Sequence, residues 1–261
     1  MKNRITELLA RKKSNLLSMY YTAGFPTLND TGRIAMALSE SGADIIEIGI
    51  PYSDPVADGP TIQASNNVAL KNGMRLSMLI EQVKEVRDKV DVPIILMGYI
   101  NPVLQYGIEK FAKDAAAAGV DGVILPDLPM DEYLENYKDL FRSNKLSNTF
   151  LISPTTSEDR IRKIDAVTEG FIYAVSASSI TGAKGKFAPA QLEYFERIKQ
   201  MQLTNPYLIG FGISNHDAFA TAAEYAAGAI VGSAFVDLLK DSKDIHGDIK
   251  AFVKSLKNGA A

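Results

Sequence analysis

Two carboxylic acids stand out as groups that could move protons. Glu47 interrupts an apolar run, and Asp58 follows in the loop after it, within the sequence E-I-G-I-P-Y-S-D-P-V-A-D-G-P that spans Glu47 to Pro60. A carboxylate among isoleucines is costly to bury in its charged form, so we expect the pKa of Glu47 to be raised. Two carboxyl groups in different surroundings can hold different protonation states, which is what general acid–base chemistry requires.

The run that carries Glu47 has the composition of a strand covered on both faces. Residues 43–50 are rich in isoleucine and are closed by a proline, as is typical of a parallel sheet. Alternate residues of a strand face opposite sides, so Glu47 shares its face with Ile45. The remaining isoleucines, Ile46, Ile48 and Ile50, then face a layer of helices.

The rest of the chain alternates strands with helices. The predicted strands are Leu16–Thr22, Ala43–Ile50, Pro93–Tyr99, Val120–Leu125, Thr149–Ser153, Phe171–Ser176, Tyr207–Phe211 and one beginning at Ala229–Val231. The predicted helices are residues 3–13, 29–41, 61–70, 76–90, 108–118, 130–142, 157–167, 189–202, 216–226, 235–240 and 249–256. This alternation predicts an α/β fold, a single (β/α)8 TIM barrel over residues 1–261, with an extra N-terminal helix and a short helix after the eighth strand.

Length agrees with this fold, because a (β/α)8 barrel needs roughly 250 residues and the chain has 261. A doubly wound open sheet is the alternative. It is disfavoured because the first strand–helix turn lacks the G-x-G-x-x-G sequence that binds dinucleotides.

Composition excludes several classes of function. The net charge of −3 with scattered lysines and arginines argues against nucleic acid or an anionic membrane as a partner. The absence of cysteine excludes disulfides, thiol nucleophiles and thiolate metal sites. No apolar run approaches the ~20 residues of a membrane span, and the N-terminus does not resemble a signal peptide. We therefore expect a soluble, cytoplasmic protein.

Glycines follow the last two predicted strands, where barrels commonly bind phosphate. Gly212 lies in G-F-G-I-S-N after one strand, and Gly232 and Ser233 follow the next. Glycine lets the backbone approach an anion closely, and free N–H groups at a helix start attract negative charge. The alternative is that these glycines only form tight turns. The long polar loop of residues 177–189 is either a lid over a phosphate or a disordered connection.

Other polar residues have simpler explanations. Asp127 is expected to form a turn or a cap, and Asp58 has the alternative role of capping the next helix. His216 and His246 fall in or near predicted helices rather than at strand ends. Tyr173 lies near the end of a predicted strand, where its side chain either points into the pocket or packs against other aromatic residues. No group of acids and histidines has metal-ligand spacing, so we predict no metal site.

The stretch from Glu47 to Pro60 resembles the signature of the tryptophan synthase alpha chain family. The resemblance extends along the chain to the T-A-G-F-P turn at Thr22, Asn101-Pro102, Thr181-Gly182, Gly210-Phe211-Gly212-Ile213-Ser214 and Gly232-Ser233-Ala234. It implies a lyase that splits indole-3-glycerol phosphate into indole and glyceraldehyde 3-phosphate. Glu47 would protonate indole C3, Asp58 would stay ionised and accept the ring N–H, and the Tyr173 hydroxyl would assist.

The same resemblance assigns further residues to the site. Phosphate-binding positions are Gly182, Gly212, Gly232 and Ser233; the indole slot is Tyr20, Met97 and Ile124; and Thr181 belongs to the lid. The chain departs from the family at Ser179, where a glycine is common, which puts the flexibility of the lid in question.

A partner is also implied. The family passes indole to a beta chain that carries pyridoxal phosphate, in an α-β-β-α assembly, and the alpha chain needs no cofactor of its own. Pro51, Asp54 and the segment from Asn101 to Tyr106 match the contact face. The alternatives are a stand-alone lyase that releases indole, a catalytically silent regulatory barrel, and another phosphate-handling barrel such as an epimerase or aldolase.

Overall fold

The structure is a computed structural model that describes residues 2–176 and 187–259. The strands are β1 (Leu16–Thr22), β2 (Ile45–Gly49), β3 (Ile94–Met97), β4 (Gly122–Ile124), β5 (Ser147–Asn148), β6 (Leu151–Ile152), β7 (Ile172–Val175), β8 (Tyr207–Gly210) and β9 (Gly228–Val231). The helices are α1 (Arg4–Arg11), α2 (Asp30–Ser41), α3 (Pro60–Lys71), α4 (Leu76–Val86), α5 (Ile100–Tyr106), α6 (Ile108–Ala117), α7 (Met130–Glu132), α8 (Lys138–Ser143), α9 (Glu158–Val167), α10 (Pro189–Gln200), α11 (His216–Tyr225), α12 (Ser233–Asp241) and α13 (Ile245–Asn258).

All of these strands run parallel, in the order β5-β4-β3-β2-β1-β9-β8-β7-β6. The two edge strands of this order, β5 and β6, are halves of one stretch of chain. On one side of that stretch the Thr149 N–H donates to the Val123 carbonyl at 3.0 Å, and on the other the Tyr173 N–H donates to the Phe150 carbonyl at 2.9 Å. The sheet therefore closes on itself, and the predicted TIM barrel is confirmed.

Alternation along the strands separates two apolar cores. Ile46, Ile48 and Ile50 pack with the helices in the outer core, as predicted. Ile45 points the other way and joins a small inner core with residues such as Ile95 and Ile230 from neighbouring strands. Because Glu47 lies two residues after Ile45, its side chain lies on the inner face of the barrel.

Helix α1 closes the amino-terminal end of the barrel. Ile5, Leu8 and Leu9 are buried and belong to the inner core. The Asn3 side chain caps the helix and also donates to the Asp121 carbonyl at 2.9 Å, while Arg4 forms an ion pair with the Asp121 carboxylate at 3.2 Å. With this end filled, the mouth at the carboxyl ends of the strands is where a ligand can enter.

The structure corrects two local predictions and adds one helix. Residues 100–106, to which no element was assigned from the sequence, form helix α5; Pro102 is tolerated because it falls in the first turn. The helix predicted over residues 130–142 contains a π-helical segment, Tyr133–Tyr137. The strand predicted at Thr149–Ser153 is shifted toward the N-terminus and divided into β5 and β6.

Within residues 2–176 and 187–259, no helix combines the length and apolar character needed to cross a membrane.

Candidate active site

Glu47 is the central residue of β2, directly opposite Tyr20 in the register of β1 and β2. Its side chain is fully buried. The hydroxyl of Ser18, also fully buried, donates to Glu47 Oε1 at 2.6 Å. Glu47 Oε2 is buried too, and it has no hydrogen-bond partner among the residues that the structure describes. One oxygen is thus held, and the other is left for a proton or a ligand.

This environment sets the acidity of Glu47. Burial raises the pKa of its carboxyl from 4.5 to about 7, and the hydrogen bond from Ser18 opposes that rise. Burial has this effect because an apolar interior disfavours the charged form. The expected raised pKa is supported, and near neutral pH Glu47 can exist in both forms.

Asp58 lies half-buried in the loop between β2 and α3. Burial raises the pKa of its carboxyl from 3.8 to about 6, and the side chain of Asn66, whose Nδ2 lies 3.5 Å from Asp58 Oδ2, opposes the rise. Asp58 thus loses its proton at a lower pH than Glu47. The cap position of α3 is Gly59, with no side-chain hydrogen bond at that cap, so the alternative capping role of Asp58 is not supported.

Two tyrosines of the inner face surround Glu47. Burial raises the pKa of the Tyr173 hydroxyl well above its usual value, and the charge of Glu47, the neighbouring Tyr20 and the charge of Asp58 add to the rise. Burial likewise raises the pKa of Tyr20, with further contributions from Asp58 and then Glu47. Both hydroxyls are therefore neutral donors close to the two acids.

Glycines make room for these two tyrosines. A Cβ at Gly49 would lie 2.3 Å from the Tyr20 hydroxyl, and a Cβ at Gly210 would lie 2.3 Å from the Tyr173 hydroxyl. Neither contact is physically possible, so a side chain at either position would push a tyrosine out of place. The glycines of β2 and β8 fix where the two hydroxyls lie inside the barrel mouth.

The predicted phosphate positions lie after β8 and β9. Gly232 is the cap residue of α12, without a side-chain hydrogen bond, and Ser233 is the exposed first residue of that helix. The first N–H groups of a helix lack internal partners and attract anions. Gly212 has a positive φ of 78°, and the preceding Phe211 has a φ of 70°. A Cβ at Gly232 would be 3.6 Å from the Tyr20 ring, so this helix start borders the tyrosine next to Glu47.

The predicted indole slot uses neighbouring inward positions. Met97 of β3 and Ile124 of β4 are paired in register; Ile124 belongs to the inner core, and the partly buried Met97 packs against it. Tyr20 lies on the inner face of β1, two strands from Met97. The three side chains line adjoining parts of the barrel interior. The predicted Gly182, Thr181 and Ser179 lie outside the described residues.

The loop that carries Asp58 is tied to the segment after β3. The Ala57 N–H donates to the Tyr99 hydroxyl at 2.9 Å, and Asn101 Nδ2 donates to the Tyr52 hydroxyl at 3.1 Å. In the same region Asp127 accepts a hydrogen bond from the Ile100 N–H at 2.9 Å, which is the cap role expected of it.

The loop of Asp58 and the segment after β3 together form one rim of the barrel mouth, and this rim carries the predicted contact residues. Asp54 and Asn101 are exposed, whereas Pro51 is buried. Val56 is 87% exposed and Leu104 is 46% exposed, so the rim presents apolar groups to solvent.

The two histidines lie in helices α11 and α13, in agreement with the sequence analysis, and each has a hydrogen-bond partner. His216 Nδ1 is hydrogen bonded to the Leu256 carbonyl, and His246 pairs with Glu40. No cluster of histidine and acidic side chains suited to a metal occurs in the part of the chain that the structure describes.

Sequence reasoning missed Ser18, Asn66 and Phe211. The first two are the hydrogen-bond partners of the acids, and the ring of Phe211 lies edge-on to Tyr173 with centroids 6.2 Å apart. Each contact depends on the pairing of distant strands and helices. The alternation of inner and outer residues in β1 was the one available signal, because it places Ser18 on the same face as Tyr20.

Comparison with known proteins gives a consistent result. The sequence model of the family described as tryptophan synthase alpha chain matches residues 6–260. Relatives named tryptophan synthase alpha chain include one from Flavobacterium johnsoniae, 51% identical over 98% of this chain and 100% of its own length. Another, from Flavobacterium psychrophilum, is 52% identical over 92% of this chain and 94% of its own length.

Solved structures give the same answer for the fold. The tryptophan synthase alpha subunit of Legionella pneumophila has a TM-score of 0.90 and 33% identity, with 99% of this chain and 98% of that chain covered. A chain of tryptophan synthase from Mycobacterium tuberculosis, in an aminoacrylate-bound form, has a TM-score of 0.86 and 32% identity over 100% of both chains.

Proposed function

This chain belongs to the tryptophan synthase alpha chain family, and we propose that it cleaves indole-3-glycerol phosphate into indole and glyceraldehyde 3-phosphate. The observation that carries the proposal is the state of Glu47. It is fully buried in the barrel interior, its pKa is raised to about 7, and one of its oxygens has no hydrogen-bond partner among the described residues. A carboxylic acid that holds its proton near neutral pH is suited to proton donation.

The reaction begins at C3 of the indole ring. Glu47 gives its proton to C3, which makes that carbon tetrahedral and places positive charge on the ring nitrogen. The pKa of Asp58, about 6, lies below neutral pH and below the pKa of Glu47. Asp58 is therefore ionised, and its carboxylate accepts a hydrogen bond from the ring N–H. A fixed negative charge beside the developing positive charge stabilises the transition state.

The carbon–carbon bond then breaks. The hydroxyl on the side-chain carbon next to C3 loses its proton, its oxygen becomes the aldehyde oxygen of glyceraldehyde 3-phosphate, and the bonding electron pair returns to the ring to give indole. Glu47, now a carboxylate, is the base for that hydroxyl proton, so the acid is regenerated. Tyr173, whose hydroxyl is kept neutral, hydrogen bonds to the same side chain.

Two sets of residues at the mouth orient the substrate, one at its phosphate and the other at its indole ring. The phosphate lies against the N–H groups at Gly212, Gly232 and Ser233. The resemblance adds Gly182 as a phosphate contact and Thr181 as a lid residue, and both lie outside the described residues. The indole ring enters the slot formed by Tyr20, Met97 and Ile124. Two observations support this orientation: β2, which carries Glu47, lies between β1 and β3, which carry Tyr20 and Met97, and the start of α12 at Gly232 borders Tyr20.

A beta chain is the proposed partner. Asp54, Asn101 and the exposed apolar residues Val56 and Leu104 form the contact face of a cytoplasmic, single-domain alpha subunit in an α-β-β-α assembly. Pro51, the remaining residue implied at this face, is buried in the isolated chain. This chain works without a cofactor of its own, and pyridoxal phosphate belongs to the beta chain.

The test is the release of indole from indole-3-glycerol phosphate by the purified chain, with glyceraldehyde 3-phosphate measured in parallel. We expect the two products in equal amounts, and a much higher KM for the analogue that lacks the phosphate. Failure to release indole would remove the proposed activity. Addition of a beta chain is expected to accelerate release. An unchanged rate, with the two chains eluting separately on gel filtration, would indicate a stand-alone lyase instead.

A further inference from the structure

The inner face of β1 carries one small polar residue in an apolar layer. Ser18 is fully buried on the side of the strand that also presents Leu16 and Tyr20. A buried hydroxyl that lacks a hydrogen bond costs free energy. In the part of the chain that the structure describes, the Ser18 side chain has one hydrogen-bond partner, Glu47 Oε1 at 2.6 Å.

The direction of this hydrogen bond selects a place for the Glu47 proton. When Glu47 is a carboxylate, Oε1 accepts from the serine hydroxyl. When Glu47 is protonated on Oε2, Oε1 is the carbonyl oxygen and still accepts. If the proton were on Oε1, that oxygen would donate to the serine oxygen instead, and the buried serine O–H would be left without an acceptor among the described residues. The serine is therefore compatible with a proton on Oε2, the oxygen that has no partner among the described residues.

We propose that Ser18 is a positioning residue for Glu47. The Ser18 hydroxyl holds Glu47 Oε1 as the carbonyl oxygen, so that the transferable proton resides on Glu47 Oε2. The catalytic part of this inference rests on the proposed lyase function. Because a hydrogen bond to the charged form stabilises it, Ser18 also keeps the carboxyl from holding its proton too tightly to give it to carbon.

The groups around Glu47 leave this role to Ser18. Tyr20 on β1 and Tyr173 on β7 are neutral, since burial first and nearby acids second raise the pKa of both hydroxyls. Asp58 in the loop after β2 is the neighbouring charged group, and it raises the pKa of both tyrosines. The adjoining inner-face residues Ile45 and Ile95 are apolar. None of these described neighbours hydrogen bonds to the carboxyl.

Four variants separate the hydroxyl from the volume at this position. Ser18→Ala removes the hydroxyl. Ser18→Thr and Ser18→Val form a matched pair of nearly equal size, in which threonine keeps the hydroxyl and valine does not. Glu47→Gln identifies the signal of this carboxyl in infrared difference spectra of protein labelled with 13C-glutamate.

The first measurement is the infrared titration of Glu47 without substrate. Loss of a hydrogen bond to the charged form is expected to raise the titration midpoint by about one pH unit in Ser18→Ala and Ser18→Val. The C=O stretch of the protonated carboxyl is expected to move to higher wavenumber in the same two variants, because its carbonyl oxygen loses a donor. Ser18→Thr should keep both values of the native protein.

The second measurement is the pH dependence of indole release. As Glu47 acts in its protonated form, the rate falls above its pKa, and this alkaline limb should move upward with the midpoint in Ser18→Ala and Ser18→Val. The plateau rate should also fall, on the order of tenfold, because the proton is no longer held on one oxygen. A purely structural role would lower the rate without moving the limb.

The outcomes are distinct. An unchanged midpoint and C=O band in both Ser18→Ala and Ser18→Val would overturn the inference, whatever the activity. A shifted midpoint and band in a protein that releases no indole would support the placement of the proton and remove the proposed lyase function. Equal behaviour of the threonine and valine variants would show that volume, not the hydroxyl, controls Glu47, and would also overturn the inference.

Discussion

Replacing Glu47 by glutamine should make the protein more stable, and the gain should grow with pH. The carboxyl has a pKa of about 7 in the folded protein, against 4.5 as its ordinary value. Below pH 4.5 both states hold the proton and the group favours neither. As the pH rises through the interval between the two values, the unfolded chain ionises first, and the folded state loses stability until it ionises as well.

The size of this effect follows from the two pKa values. The gap between 4.5 and about 7 corresponds to about 3 kcal/mol of lost stability above pH 7. Glutamine keeps the shape of the side chain and still accepts a hydrogen bond from Ser18, but it does not ionise. The free energy of unfolding of Glu47→Gln relative to the native protein should therefore rise by about 2–3 kcal/mol between pH 5 and pH 8.

Urea unfolding of both proteins at pH 5, 6, 7 and 8 measures this difference. The matched control is Glu85→Gln on the exposed face of α4, which removes a carboxylate from solvent and should change stability by less than about 0.5 kcal/mol at every pH. A constant difference between Glu47→Gln and the native protein across this range would refute the reasoning, because it would mean that Glu47 titrates at its ordinary value.

Three further substitutions test other parts of the account. Asp58→Asn should reduce indole release by about 100-fold or more and remove the fall in rate below pH 6 that an ionised Asp58 predicts; a native pH profile would contradict this role. Gly210→Ala places a Cβ 2.3 Å from the Tyr173 hydroxyl, so we expect at least about tenfold slower release and about 1–3 kcal/mol of lost stability by urea unfolding, and native values would show that the ring yields freely. Ile5→Ala removes a fully buried side chain and should lower the free energy of unfolding by about 2–5 kcal/mol. The rate per folded molecule should not change, since α1 lies opposite the mouth. A loss of stability below about 1 kcal/mol would mean that α1 does not seal the barrel.

The fold was predictable where local signals and burial agree. Strand β1 spans Leu16–Thr22 as predicted, and α2 ends at Ser41, followed by Gly42 with a positive φ of 92°. A glycine in that conformation is a frequent helix stop, so the sequence marks the boundary directly. The inward direction of Glu47 also follows from alternation within one strand.

The errors arose where tertiary contacts override local preference. Helix α5 was not assigned from the sequence, and its start is held by a distant residue, Asp127, whose carboxylate accepts the Ile100 N–H. The division of the fifth barrel strand into β5 and β6 reflects pairing with β4 on one side and β7 on the other. Neither contact can be inferred from the residues of the segment itself.

The candidate site was predictable in its acids but not in the groups that tune them. Glu47 and Asp58 are conspicuous because carboxylates are unusual in such surroundings. Ser18 and Asn66 are ordinary residues in ordinary elements, and they gain a role only through the register of β1 with β2 and the position of α3. The effect of Ser179 on the lid stays a prediction, since it lies outside the described residues.

The most direct test of the central claim is the single-turnover rate of indole release by Glu47→Gln, compared with the native chain at pH 7. We expect a loss of about 100-fold or more, because the substituted side chain fits the same place and accepts the same hydrogen bond but carries no transferable proton. A variant that keeps a rate within about tenfold of the native value would contradict the assignment of Glu47 as the acid that protonates indole C3.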